Sequence, residues 1–241
     1  MVQERSERTR GRLVEAGAEL FDRHGYAGAT LGEIAGAAGV TKGALYFHFA
    51  SKDELARAVF QQAERSLRSA CRALRATASP LQTLIDSGYW LVDALGSDAV
   101  VRAAFRLGRE GGGWQSGPAA PGAAAVGAAG PGGTASGVAA TGTTAPVEGV
   151  PGFHGIWAGV VRELLVGARR AGELRDRPGV LGPETLVVAA ACGLEVVFGD
   201  GGADEERARR VGALWEWLLP CLVPPGGSGA YRTRPRAPLP A

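Results

Sequence analysis

Residues 30–49, TLGEIAGAAGVTKGALYFHF, read as a helix, a tight turn and a second short helix. Thr30 caps the first helix, and Glu33 three residues on completes a capping box. Leu31, Ile34, Ala35 and Ala38 repeat at the helical period and give that helix one apolar face. Gly39 supplies the positive φ that ends it, and Val40 is the apolar plug that sets the angle to the next helix. Thr41 caps the second helix, which carries Lys42, Gly43, Ala44, Tyr46 and His48, while Leu45 and Phe49 keep a four-residue core spacing. Phe47 is read with Phe49 as core. The outward face is small at its start and rich in hydrogen-bond donors beyond, as a helix entering the major groove needs. The stretch is a helix-turn-helix, and it implies binding to double-stranded DNA.

Working outward, a first helix from about Glu7 to His24 buries Leu13, Ala16, Leu20 and Phe21, with Gly25 as its stop and Tyr26 packing back on the core. Arg5, Arg8, Arg10 and Arg12 crowd the N-terminal arm. Residues 1–50 nevertheless hold as many acidic as basic side chains, and the whole chain carries a net charge of only +2. The cationic signal is therefore a local stripe, which predicts modest, salt-sensitive nonspecific affinity for DNA. Lys52 opens the fourth helix, where a phosphate could meet the helix N-terminus.

Residues 1–50 make the DNA-binding domain, and residues 51–222 an all-helical second domain, which by the family resemblance given below is the ligand-binding and dimerisation domain. Its fourth helix starts within SKDE and runs to about Leu74 on Leu55, Ala58, Val59, Ala63 and Leu67. Helices follow from Pro80 and over Ala99 to Leu107. Residues 111–152 hold 13 glycines, 11 alanines and one acid, Glu148, with neither lysine nor arginine. Such a segment cannot offset its ordering entropy, so it reads as a disordered insertion. A helix resumes at Phe153 with Ile156, Val160, Val161, Leu164 and Leu165 inward. Two largely apolar helices, PETLVVAAACGLEVVFG and ADEERARRVGALWEWLLPCLV, then call for cover, most economically from a second copy in a homodimer with a four-helix interface, the alternative being cover within the monomer. Residues 223–241, with Arg232, Arg234 and Arg236, read as a disordered tail.

Composition removes several other classes. No apolar run spans a bilayer and MVQERSERTR is no secretory signal, so a cytoplasmic protein without membrane association is expected. Cys71, Cys192 and Cys221 stand singly, without the spacing of a metal site or a disulfide framework. His24, His48 and His154 are scattered, no HExxH occurs and no glycine-rich phosphate loop follows a strand. Neither enzyme activity nor a metal or cofactor is expected. Glu195, in an apolar helix, is read either as an acid with a raised pKa, as an interface pair or as a polar ligand contact.

Through LFDRHGYAGATLGEIAGAAGVTKGALYFHFASKDEL, Leu20 to Leu55, the chain resembles the TetR family of bacterial transcriptional repressors. Within that family, GVTKGALYFHFASKDELA looks like the gamma-butyrolactone autoregulator receptors of Streptomyces, with 111–152 as an added insertion. The resemblance implies a dimeric repressor on a pseudo-palindromic operator, released when a small lipophilic effector, a lactone in those receptors, enters the helical domain. The alternative is a pseudo-receptor that answers to an antibiotic or biosynthetic intermediate, or to no lactone. It places Thr41, Lys42, Tyr46 and His48 at the DNA surface. Gly43 leaves room for close approach, and Arg10, Thr30 and Lys52 complete the expected DNA-binding set. Tyr46 could instead pack on Phe21 with only its hydroxyl exposed. On the ligand side the resemblance singles out Trp157, which follows Phe153. Trp90, Phe105 and Cys192 join it as further walls, argued only from their apolar helical faces.

Overall fold

The computed structural model describes residues 2–110, 152–175, 185–190, 193 and 204–235. Regular structure among them is entirely helical, so the all-α expectation holds. α1 (Val2–Gly28) is longer than its apolar stripe alone predicts, and it bends at Gly25, whose φ of 71° is open to glycine but strained for other residues. The stop expected there is thus a kink, beyond which one more turn runs to Gly28. Thr30 then caps α2 (Leu31–Ala37) in the reciprocal capping box with Glu33. Gly39, at φ 63°, turns the chain so that the Val40 amide donates back to Ala35 O at 3.0 Å. Thr41 caps α3 (Lys42–His48), its hydroxyl accepting from the Ala44 amide at 3.1 Å.

Ser51 caps α4 (Lys52–Arg75), the long helix linking head to second domain. Leu55, Val59, Phe60, Ala63, Leu67 and Cys71 are buried along it. Burial pushes the Cys71 thiol up to about 11, as expected of a packing cysteine and not a reactive one. α5 (Pro80–Ser97) starts with Ser79 as cap and proline in the first turn, where a missing N–H does no harm. α6 (Ala99–Arg109) begins at Asp98, which accepts from the Val100 amide at 2.8 Å, and lies along α1 and α4.

The chain returns at Gly152, φ 78°, so close to α6 that an added Cβ would come within 2.5 Å of Gly108 Cα. α7 (Phe153–Arg170) follows and packs on α5. A helical stretch over 185–190 (α8) and then α9 (Asp204–Leu222), with Pro220 in its last turn, complete the second domain. The insertion read over 111–152 lies, Gly152 apart, outside the described residues.

The C-terminal segment corrects the expectation of a disordered tail from residue 223. After a 3-10 turn over Gly227–Ala230, the chain up to 235 lies back on α5. Arg232 places both hydrogen bonds of one guanidinium nitrogen on the buried Asp86 carboxylate, each at 2.9 Å. Its backbone N–H donates to Gln82 Oε1 at 2.8 Å, and the Tyr89 hydroxyl donates to Thr233 O. Gly212 of α9 lies directly beneath Thr233, where a Cβ would meet the carbonyl at 2.8 Å. The segment is a strap over the α5–α9 seam. Composition marks it as polar and proline-rich, but a buried acid far upstream decides its place.

Candidate DNA interface and effector cavity

Helical geometry sorts α3 into two sides. Leu45 is fully buried and Ala44 and His48 are half-buried, whereas Lys42, Gly43, Tyr46 and Phe47 are exposed. Nothing but the Thr41 hydroxyl lies within 4 Å of where a Gly43 Cβ would be, so this part of the face is bare. Tyr46 is 49% exposed and does not form the Phe21 stack, which belongs to Tyr26 at 5.9 Å. Phe47 departs from the core reading: it is 82% exposed. A position two residues after buried Leu45 is rotated about 200° from it on an α-helix, so the spacing itself held the signal.

Three residues of the expected DNA-binding set are occupied within the protein. Lys52 turns inward, its ammonium donating to Tyr26 O at 2.7 Å and Ala29 O at 3.1 Å and lying 4.4 Å from the Tyr26 ring centroid. It closes the end of α1. The Thr30 hydroxyl is held by Glu33, and the Arg10 guanidinium stands 4.9 Å over the Phe49 ring. Sequence reading also missed Arg12, which reaches across to Ala38 O and fills the space beside Gly39. Apart from Glu33, which the capping-box spacing shows, each of these partners is remote in sequence or is a backbone carbonyl, and neither kind shows in a motif.

The head is fastened to α6 at the kink of α1. Arg102 Nε bonds Asp22 Oδ2 at 2.7 Å, Arg106 donates to Asp22 O, and the Tyr26 amide donates to Glu110 Oε2 at 2.7 Å. The Tyr26 hydroxyl is bonded to Asp53, and burial together with that carboxylate raises its pKa to about 12. A movement of α6 therefore reaches the head through charged contacts at one point on α1. Phe105 of the same helix packs edge-on against Phe153 at 4.9 Å and His154 at 4.8 Å.

Trp157 is 1% exposed on α7 and lines an apolar cavity with Leu84 and Gly88 of α5, Val187 and Ala190 of α8, and Leu214, Trp215 and Leu218 of α9. The cavity is small, with room of about 10 Å³ for the centre of a water molecule. Among the described residues the buried Trp157 indole N–H has no hydrogen-bond partner, which is costly for a donor removed from water. The other expected walls do not join it. Phe105 belongs to the Phe153 cluster, Trp90 is half-buried outside the cavity lining, and Cys192 lies outside the described residues. Trp215 is a further wall, on a helix the sequence analysis singled out only for its apolar character.

Among the described residues, no group of His, Cys, Asp and Glu could hold a metal ion, and no helix is long and apolar enough to cross a membrane. Residues 13–59 match the model of bacterial regulatory proteins, tetR family. The A-factor receptor protein of Streptomyces griseus is 28% identical over 225 residues, 93% of this chain and 67% of that protein. A crystal structure of a gamma-butyrolactone receptor (ArpA-like protein) is similar with a TM-score of 0.63 at 27% identity, covering 94% of each chain. CprB of Streptomyces coelicolor, in complex with its operator sequence, gives 0.65 at 26% identity, again over 94% of each.

Proposed function

We propose that this chain is a TetR-family regulator related to the Streptomyces gamma-butyrolactone receptors, which it resembles along most of its length, and that it is a homodimeric repressor released from its operator by a small lipophilic effector of the gamma-butyrolactone type. The observation that carries the reading is the buried, unpartnered indole N–H of Trp157 in an apolar cavity. A lactone offers a carbonyl acceptor for that donor and an alkyl body for Leu84, Leu214 and Trp215. Pockets for drug-sized ligands run to roughly 300–1,000 Å³. Entry of such a molecule therefore requires α5, α8 and α9 to part, and that movement is what binding energy would drive.

On the DNA side, Thr41, Lys42, Gly43, Tyr46 and His48 form the contact set. Lys42 meets phosphate, Gly43 admits the groove wall, and the Tyr46 hydroxyl and His48 ring serve phosphate or base edges. Thr30, Lys52 and Arg10 are support for this surface and not part of it. Leu186 on α8 and Trp217 on α9 are 64% and 82% exposed, and a second copy supplies the cover these apolar helices lack. Two reading helices so joined suit half-sites about one DNA turn apart or a multiple of it.

The test is a mobility shift of the purified chain on its own upstream DNA, with and without an alkyl-substituted gamma-butyrolactone. Specific binding reversed by the lactone is expected. With Trp157→Phe, which keeps the flat wall and loses the N–H, operator binding should persist while release needs about tenfold more lactone. A specific shift that the lactone leaves untouched would instead favour a pseudo-receptor with another effector.

A further inference from the structure

We infer that Phe47 is a sequence-reading residue: its ring contacts the 5-methyl group of a thymine in each operator half-site. This rests on the DNA-binding reading above and names what that surface recognises. A phenyl ring that is 82% exposed leaves a large apolar area in water, and burying it against an apolar partner is favourable. It lies one helical turn beyond Gly43, on the same exposed side of α3 as Lys42 and Tyr46. Gly43 lets the helix axis approach the groove floor, so the next side chain along that face is the one that reaches base edges. The His48 ring stands edge-on to Phe47 at 5.2 Å and limits where the phenyl can swing.

Charge places the duplex around the ring. Phe47 and His48 wall a groove whose other side is the start of α1, where Arg5 and Arg8 outnumber the one acid, Glu4. Lys42 lies at the opposite end of α3. Cations on both sides of one exposed aromatic suit a sugar–phosphate backbone flanking a groove, with the apolar ring directed between the strands. The major groove offers one apolar group of matching chemistry, the thymine methyl. A ring with neither donor nor acceptor discriminates there by that methyl alone.

Duplexes enriched from a random pool by the full-length chain would be resynthesised with deoxyuridine replacing each thymidine in turn, which removes a methyl and alters no hydrogen-bonding group. Affinity should fall about fourfold at one symmetry-related position per half-site, the effect of one buried methyl-sized group. Phe47→Ala should bind the parent duplex more weakly and no longer distinguish thymidine from deoxyuridine there. Phe47→Leu should keep the distinction, and Lys42→Ala should lower affinity while leaving it intact. Circular dichroism should show unchanged helicity in each variant, because Phe47 supports no core.

Enrichment without any methyl effect, or an effect equal in Phe47→Ala, would overturn the inference while leaving DNA binding in place. A Phe47→Ala protein that binds normally but changes oligomeric state would reassign the ring to a contact between copies. Failure to enrich any duplex would strike the DNA-binding reading itself.

Discussion

Lys42 and Lys52 look alike in sequence, each a lysine at the start of a helix, yet they hold different jobs. Lys42 is exposed, whereas Lys52 has two carbonyl partners at the end of α1. Lys42→Ala should weaken binding to all duplexes alike and reduce the slope of log affinity against log salt by about one. Lys52→Ala should leave that slope unchanged and lower the melting temperature by several degrees, since hydrogen bonds to a charged group are worth about 1.5–3 kcal/mol. The motif showed where α2 and α3 start because caps are local, Thr30 with Glu33 and Thr41 with Ala44. It could not show that Tyr26 O and Ala29 O wait for the Lys52 ammonium, because a backbone carbonyl carries no residue identity. His154 adds a pH dependence. Burial beside Phe105, and secondarily Arg109, holds its pKa below the usual 6.5. The native state then binds this proton less readily than the unfolded chain, so stability is full above about 6.5 and declines as pH falls below it. Melting temperatures between about pH 7.5 and pH 5.5 should drop further for the native sequence than for His154→Gln.

At the scale of elements, the helices that lean on their own amphipathic stripe were legible from the sequence. α4 buries Leu55, Val59, Ala63 and Leu67 at the expected period, and α5 begins at its proline. The C-terminal strap was not legible, because its order comes from Asp86, Gln82 and Tyr89 and not from its own side chains packing together. Asp86 is buried and Arg232 is its cationic partner. Arg232→Ala should therefore destabilise the fold by about 1.5–3 kcal/mol, read as a loss of several degrees in thermal melting. Operator affinity measured well below that melting point should not change, since the strap lies on the second domain. The same dependence on distant partners explains why Trp157 was singled out in sequence only through family likeness. The cavity around it is assembled from α5, α7, α8 and α9, and Trp215 joins it from the far end of the chain.

On the scale of the whole molecule, two halves meet at the kink of α1, where Arg102, Arg106 and Glu110 of α6 grip Asp22 and Tyr26. Dimerisation through the exposed Trp217 would hold two such heads at fixed separation. Trp217→Glu should yield a monomer by analytical ultracentrifugation and lower operator affinity at least a hundredfold, because each half-site then binds without its tethered neighbour. The contact between Gly108 and Gly152 reaches further than the packing of two helices. It means that the end of α6 and the start of α7 meet at one spot, so the frame of the second domain is closed there by its own backbone. Where two positions already touch, each doubling of the chain length between them adds only about 0.6 kcal/mol of closure entropy. The seam is thus a permissive port in the architecture: a reporter domain spliced in between these two glycines should leave the thermal stability of the helical frame nearly unchanged.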